Sequence, residues 1–153
     1  MRSILGAAID EEADVTLVDM EAGLEHLSRS GGTLAYADVL LVIMEPSRKS
    51  ILTAGRTIVL AEELGIPRVY GVGNKAQPGD DEFFREVCAE YNVPLAGIVP
   101  ADEDVVDADR AGTLLAEGRG GAVHEAVARI VAYVDEHLGA TAVVGASAAS
   151  SSG

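Results

Sequence analysis

Short apolar runs alternate with amphipathic stretches along most of this chain. The apolar runs cover residues 15–19, 38–44, 68–74 and 94–99. They are rich in aliphatic and β-branched residues, which is typical of strands buried on both faces. Apolar residues recur at helical spacing over 48–64, 80–91 and 121–138. This alternation predicts βαβ crossovers, and therefore an α/β fold with a parallel sheet that carries helices on both faces.

Charge and composition then limit the possible partners. The 153 residues include 25 acidic and 11 basic side chains, which give a net charge of −14. Such a surface repels phosphate backbones and anionic lipids, so we expect no nucleic-acid partner. No apolar run approaches the ~20 residues of a membrane span, and the acidic start does not resemble a secretory signal. These features favour a cytoplasmic protein with no membrane span.

The chain contains a single cysteine, Cys88. One cysteine excludes an intramolecular disulfide and a zinc-ribbon pattern. Because Cys88 shares the apolar face of the 80–91 helix, we expect a buried structural thiol.

Ligands of parallel sheets bind beyond the carboxyl ends of the strands, and the first apolar run ends in Asp19. A short, mostly apolar run followed by Asp has the form of a Walker B strand, whose carboxylate approaches Mg²⁺ beside nucleotide phosphates. Gly23 could offer its backbone N–H to a γ-phosphate, because no Cβ blocks the approach. The alternative is an aspartate that only caps the segment after a buried strand.

The third run ends in VYGVGNKAQ, residues 69–77. Asn74 and Lys75 resemble the base-reading corner of P-loop nucleotidases. A guanine reader would need an aspartate at position 77, where this chain has Gln77, but the amide of Asn74 can still contact adenine. The alternative is an asparagine that serves only the turn.

The fourth run continues into a Pro100-Ala-Asp102 turn. Pro100 stiffens the turn, and Asp102 is a plausible N-cap for the helix that follows. In a nucleotide-binding fold this loop lies near the base. A plain β-to-α turn is the alternative.

In their order, these segments resemble the deviant-Walker ATPases of the MinD/ParA type over roughly residues 1–138. DMEAGLEHLSR is most similar to the CooC-like accessory ATPases, which mature nickel carbon monoxide dehydrogenase. The resemblance implies a P-loop NTPase-like domain that uses ATP and Mg²⁺. In it, Asp19 would hold Mg²⁺ through water and, as part of the catalytic set, Gly23 would sense the γ-phosphate.

The same resemblance implies a nucleotide-binding corner. Asn74 would contact adenine with Lys75 beside it, and the Pro100–Asp102 loop would close over the base. It also implies a cycle of ligand-driven homodimerisation and a client metalloenzyme that receives nickel.

One segment of the family pattern is missing from the 153 residues. No G-x-x-x-x-G-K-[ST] sequence occurs in them, so they hold no backbone cradle and no lysine for the phosphates. We therefore expect residues 1–138 to form a partial domain that lacks the P-loop strand and is inactive alone, as a truncated product or one half of a split protein. Residues 139–153, small and rich in serine at their end, are interpreted as a disordered tail.

Two other classes remain open. The chain could be a non-catalytic α/β module that binds a partner protein, such as a full-length ATPase. It could also be a receiver- or flavodoxin-like domain, since Asp19 and Lys75 loosely match a phospho-accepting aspartate and a later lysine.

Overall fold

The computed structural model describes residues 37–113 and 121–150, together with Val15, Leu17 and Asp19; for 139–150 it describes the backbone alone. Within these ranges, strands and helices alternate. In chain order the elements are β1 (Leu40–Met44), α1 (Arg48–Glu63), β2 (Val69–Ala76), α2 (Asp80–Glu90), β3 (Leu95–Pro100), α3 (Glu103–Ala111) and α4 (Gly121–Ser150).

The three described strands form one parallel sheet in the order β1-β2-β3. Helices α1 and α2 pack on one face, where Ile58 and Phe84 join Met44 in the larger core cluster. Helix α4 covers the other face, where Ile130 packs with Tyr70. The predicted α/β fold with helices on both faces of a parallel sheet is therefore confirmed.

Glycines in β2 set the distance between the sheet and α2. A Cβ added at Gly71 would lie 2.6 Å from Sγ of Cys88, and one at Gly73 would lie 2.8 Å from the ring of Phe84. Both helix residues are almost fully buried. The absence of side chains at these two glycines lets α2 approach the middle strand closely, which buries the Cys88 thiol as predicted.

The predicted first strand at 15–19 was wrong for the residues that the structure describes there. Val15 and Leu17 are 78% and 89% exposed and lie outside regular secondary structure. An apolar run becomes a buried strand only where a neighbouring strand satisfies its backbone and helices cover both faces. A hydrophobic pattern indicates that a segment can be buried, but it does not indicate that an adjacent strand and covering helices are available to bury it.

The helices differ from the predictions in the exposure of some apolar residues and in the length of α4. Val59 of α1 and Val131 of α4 belong to the segments 48–64 and 121–138 with apolar residues at helical spacing, but they are 50% and 54% exposed. The three described strands form a narrow sheet, which buries only part of the apolar face of each helix. Helix α4 also continues to Ser150 rather than ending at 138, consistent with the high helix propensity of the alanines there. The division into a 1–138 domain and a 139–153 tail stays a prediction.

The contact between β3 and α4 should be sensitive to one methyl group. A Cβ at Gly97 would lie 2.5 Å from Cγ1 of Ile130, a buried residue. We expect Gly97→Ala to lower the free energy of unfolding by about 1–3 kcal/mol, measured by urea denaturation. Gly121→Ala is the matched control, since no atom lies within 4 Å of that Cβ. Equal effects of the two substitutions would contradict the close contact.

Burial should make stability depend on the ionisation of Cys88. Desolvation raises the pKa of this thiol above its ordinary value of 9.0, so the unfolded chain ionises at lower pH than the folded one. The contribution is fully present below pH 9.0 and is lost as the pH rises through the folded-state pKa. We expect the stability difference between the unaltered chain and Cys88→Ala to shrink over this window in pH-dependent denaturation. A difference that stays constant would argue against a buried thiol.

Candidate functional site

The carboxyl end of β2 carries a bulge. Gly73 pairs with Ile98 and Ala76 pairs with Pro100, so β2 has one more residue than β3 between these pairs. Lys75 has a φ of 55°, in the left-handed region, which residues other than Gly and Asn seldom adopt. Bulges often redirect side chains beside functional sites. This one presents Asn74 and Lys75 at the edge of the sheet.

The carboxyl end of β3 turns directly into α3. Pro100 is the last residue of the strand, and Oδ1 of Asp102 accepts a hydrogen bond from the Asp104 N–H at 2.8 Å. Asp102 is the N-cap of α3, so its predicted capping role is confirmed. The cap holds this loop in a defined conformation next to the strand end.

The sheet brings these two corners together. Ala76 is the register partner of Pro100, and the Ala101 N–H donates to the carbonyl of Ala76 at 2.9 Å. Both corners therefore lie at the carboxyl edge of the sheet, where the sequence predicted them. Four of the predicted site residues share this edge, namely Asn74, Lys75, Pro100 and Asp102.

The two predicted catalytic residues are not part of this described edge. Asp19 is exposed and lies outside regular secondary structure, and Gly23 lies outside the described residues. Within the described part of the chain, no group of three or more His, Cys, Asp or Glu side chains could hold a metal ion. The role of Asp19 in holding Mg²⁺ through water and the role of Gly23 beside the γ-phosphate stay predictions.

A shallow cavity of about 420 Å³ opens beside the two corners. Its lining is formed by Ala76, Gln77, Pro78, Asp81, Ile98, Pro100, Ala101 and Arg129. Arg129 is not among the predicted site residues, because only the packing of α4 brings this distant position to the sheet edge.

Glu45 is a second residue that the predicted site lacks. Its Oε1 lies 2.6 Å from Nζ of Lys75. The hydrogen bond to Glu45, and then the charge of that carboxylate, raise the pKa of Lys75 above its ordinary 10.5. The signal that could have found Glu45 is its position, since it directly follows β1 at the same carboxyl end of the sheet as the other site residues.

The architecture is that of MinD-type P-loop proteins. The MinD cell division protein of Aquifex aeolicus matches with a TM-score of 0.59 at 17% identity, over 68% of this chain and 46% of that chain. At this identity the match shows the fold alone. No protein-family model matches the chain, and none of the described helices is long and apolar enough to cross a membrane.

Curated relatives narrow the resemblance. The carbon monoxide dehydrogenase accessory protein CooC of Rhodospirillum rubrum is 34% identical over 113 residues, 73% of this chain and 41% of that protein. An uncharacterized ATP-binding protein of Methanocaldococcus jannaschii is 34% identical over 110 residues, 71% of this chain and 42% of that protein. The predicted resemblance to MinD/ParA-type, CooC-like ATPases is thereby confirmed. The chain matches about two fifths of the length of these relatives.

The capping role of Asp102 can be tested directly. Helix α3 has no buried residue, so its N-cap should contribute much of its local stability. We expect Asp102→Ala to cost the helix about 1 kcal/mol, seen as roughly fivefold faster amide hydrogen exchange in α3. Asp102→Asn should change exchange much less, because asparagine caps equally well. Similar exchange in both variants would contradict the capping role.

Proposed function

We propose that this chain is the base-contacting portion of an ATP-dependent accessory factor for a metalloenzyme of the carbon monoxide dehydrogenase type. The observation that carries the proposal is the shared carboxyl edge of β2 and β3, where the two predicted base-contacting corners are joined by the Ala101–Ala76 hydrogen bond. The ATP-binding relatives and CooC support a nucleotide as the ligand class and a metalloenzyme as the client.

The described residues fit the base of a nucleotide. The side-chain amide of Asn74 offers both a donor and an acceptor, which suits the donor and acceptor edge of adenine. Pro100 and Ile98 supply apolar surface in the adjacent cavity, against which a flat ring can pack. Gln77, rather than an aspartate, lines the same cavity. A neutral amide favours adenine over guanine, whose two neighbouring donors suit a carboxylate.

The residues of this chain suit the phosphates and Mg²⁺ of a nucleotide less well than its base. The 153 residues contain no G-x-x-x-x-G-K-[ST] loop, and the described residues form no metal-ligand group. Without a backbone cradle and its lysine, the triphosphate would gain little from this chain. We therefore propose that the isolated chain does not hydrolyse ATP and that the phosphate-binding residues come from outside these 153 residues, in a full-length ATPase partner.

A second candidate function is a non-catalytic α/β module that binds a partner protein. Helix α4 favours this alternative, because Val127 and Val131, one turn apart, are 46% and 54% exposed. Neighbouring exposed apolar side chains form the contiguous patches that mark protein interfaces. In this alternative the chain would bind its partner without any nucleotide.

Titration with nucleosides separates the two functions. We expect adenosine to bind the 153-residue chain with a Kd on the order of 1 mM, shifting the NMR amide signals of Asn74, Lys75 and Ala101. Guanosine should bind more weakly. Mg·ATP should bind no more tightly than adenosine in calorimetry, because the phosphates find no cradle.

Matched variants make this titration specific. Asn74→Ala should abolish the adenosine-dependent shifts. Asn92→Gly, at an asparagine with a left-handed backbone that precedes β3 at the amino end of the sheet, should leave them intact. Binding of Mg·ATP at about 1 µM would contradict the proposed dependence on outside phosphate-binding residues. No adenosine-dependent shift at Asn74 would contradict the base-contacting role and favour the module.

A further inference from the structure

An ion pair joins the carboxyl ends of β1 and β2, and the proposed function uses only one of its partners. Nζ of Lys75 lies 2.6 Å from Oε1 of Glu45. Glu45 directly follows β1, and Lys75 lies in the bulge of β2. Since β1 and β2 are neighbours in the sheet, the pair spans two strand ends on the same edge as the base-contacting corner.

The backbone of Glu45 is held firmly. Its N–H donates to Oγ of Ser50 at 2.8 Å, and its carbonyl accepts from the Ser47 N–H at 2.7 Å. Ser47 in turn caps α1, accepting from the Ser50 N–H at 3.2 Å. Glu45 is therefore tied to the first turn of a helix that packs on the sheet, so its carboxylate extends from a fixed point.

The backbone of Lys75, in contrast, adopts a conformation that needs support. Its φ of 55° lies in the left-handed region, where a side chain other than that of Gly or Asn is disfavoured. Ladder pairing resumes only at Ala76, so the bulged residues are not held by the β3 ladder. The contact from Glu45 reaches the bulge through the Lys75 side chain, and Asn74 shares a peptide bond with that residue.

We propose that Glu45 is a positioning residue for the base-contacting corner: by holding Lys75 it fixes the bulge, and so the direction of the Asn74 side chain. The inference rests on the proposed function, in which Asn74 contacts adenine. It also assigns Lys75 to a carboxylate rather than to a phosphate. Asp109 of α3 adds a further favourable charge interaction with Lys75.

Because the Glu45–Lys75 ion pair is exposed, a positioning role and a purely stabilising role predict different experimental results. The side chains of Lys75 and Glu45 are 64% and 46% exposed, and exposed ion pairs contribute little to global stability. A positioning role predicts a small change in Tm and a change in conformation confined to the bulge. A purely structural role would move Tm and leave the conformation of Asn74 unchanged.

The test uses the full chain and requires no ligand for its first readout. Glu45→Gln keeps the size of the side chain and removes its charge, and Glu63→Gln on the exposed side of α1 is the matched control. We expect Glu45→Gln to shift the NMR signals of the Asn74 side-chain amide and to lower Tm by no more than about 3 °C. The control should leave the Asn74 signals in place.

Rescue and binding complete the test. The reversed pair, Glu45→Lys with Lys75→Glu, should return the Asn74 signals toward their original positions. Glu45→Gln should weaken adenosine binding by about twofold to fivefold. Unchanged Asn74 signals in Glu45→Gln, or equal shifts in Glu63→Gln, would overturn the inference. Failure of the unaltered chain to bind adenosine would contradict the proposed function instead, while the ligand-free Asn74 signals still decide the role of Glu45.

Discussion

The parallel hydrogen-bond ladder of β2 is the constraint on which the rest of the described structure depends. β2 pairs with β1 along one side and with β3 along the other. Its glycines let α2 pack tightly on one face, while Tyr70 packs against α4 on the opposite face. Because all three strands run in the same direction, their carboxyl ends meet at one edge. The ladder therefore builds the core and gathers the polar residues of the candidate site.

The bulge that interrupts this ladder is as important for the candidate site as the regular pairing is for the core. Between Gly73 and Ala76 the extra residue in β2 leaves Asn74 and Lys75 outside regular pairing. The left-handed backbone at Lys75 costs conformational energy that regular pairing would avoid. Such local strain persists where surrounding contacts support it, and the pair with Glu45 is one such contact. The bulge weakens the pairing of β2, but it also places the side chains of Asn74 and Lys75 at the carboxyl end of the sheet.

The features that this chain shares with nucleotide-binding proteins suit the base of a nucleotide better than its phosphates. The sheet edge supplies an amide, apolar ring-stacking surface and a capped loop, all of which suit a base. The acidic surface, with a net charge of −14, offers no general attraction for phosphates. A triphosphate must therefore be held by local donors, and the chain lacks the loop that provides them in this class of protein. In the proposed function, the base half and the phosphate half of the site are therefore separable in physical terms.

Local physics made much of this structure predictable from the sequence. Helical and strand periodicity identified three strands and the buried face of α2 with Cys88, and an aspartate after a proline turn identified the cap at Asp102. These features depend on residues close together in the chain. The exposure of Leu17, the proximity of Arg129 to the cavity and the Glu45–Lys75 pair depend on which strands pair, in which register, and on where helices cross the sheet. Those are contacts between distant segments, so only the tertiary structure decided them.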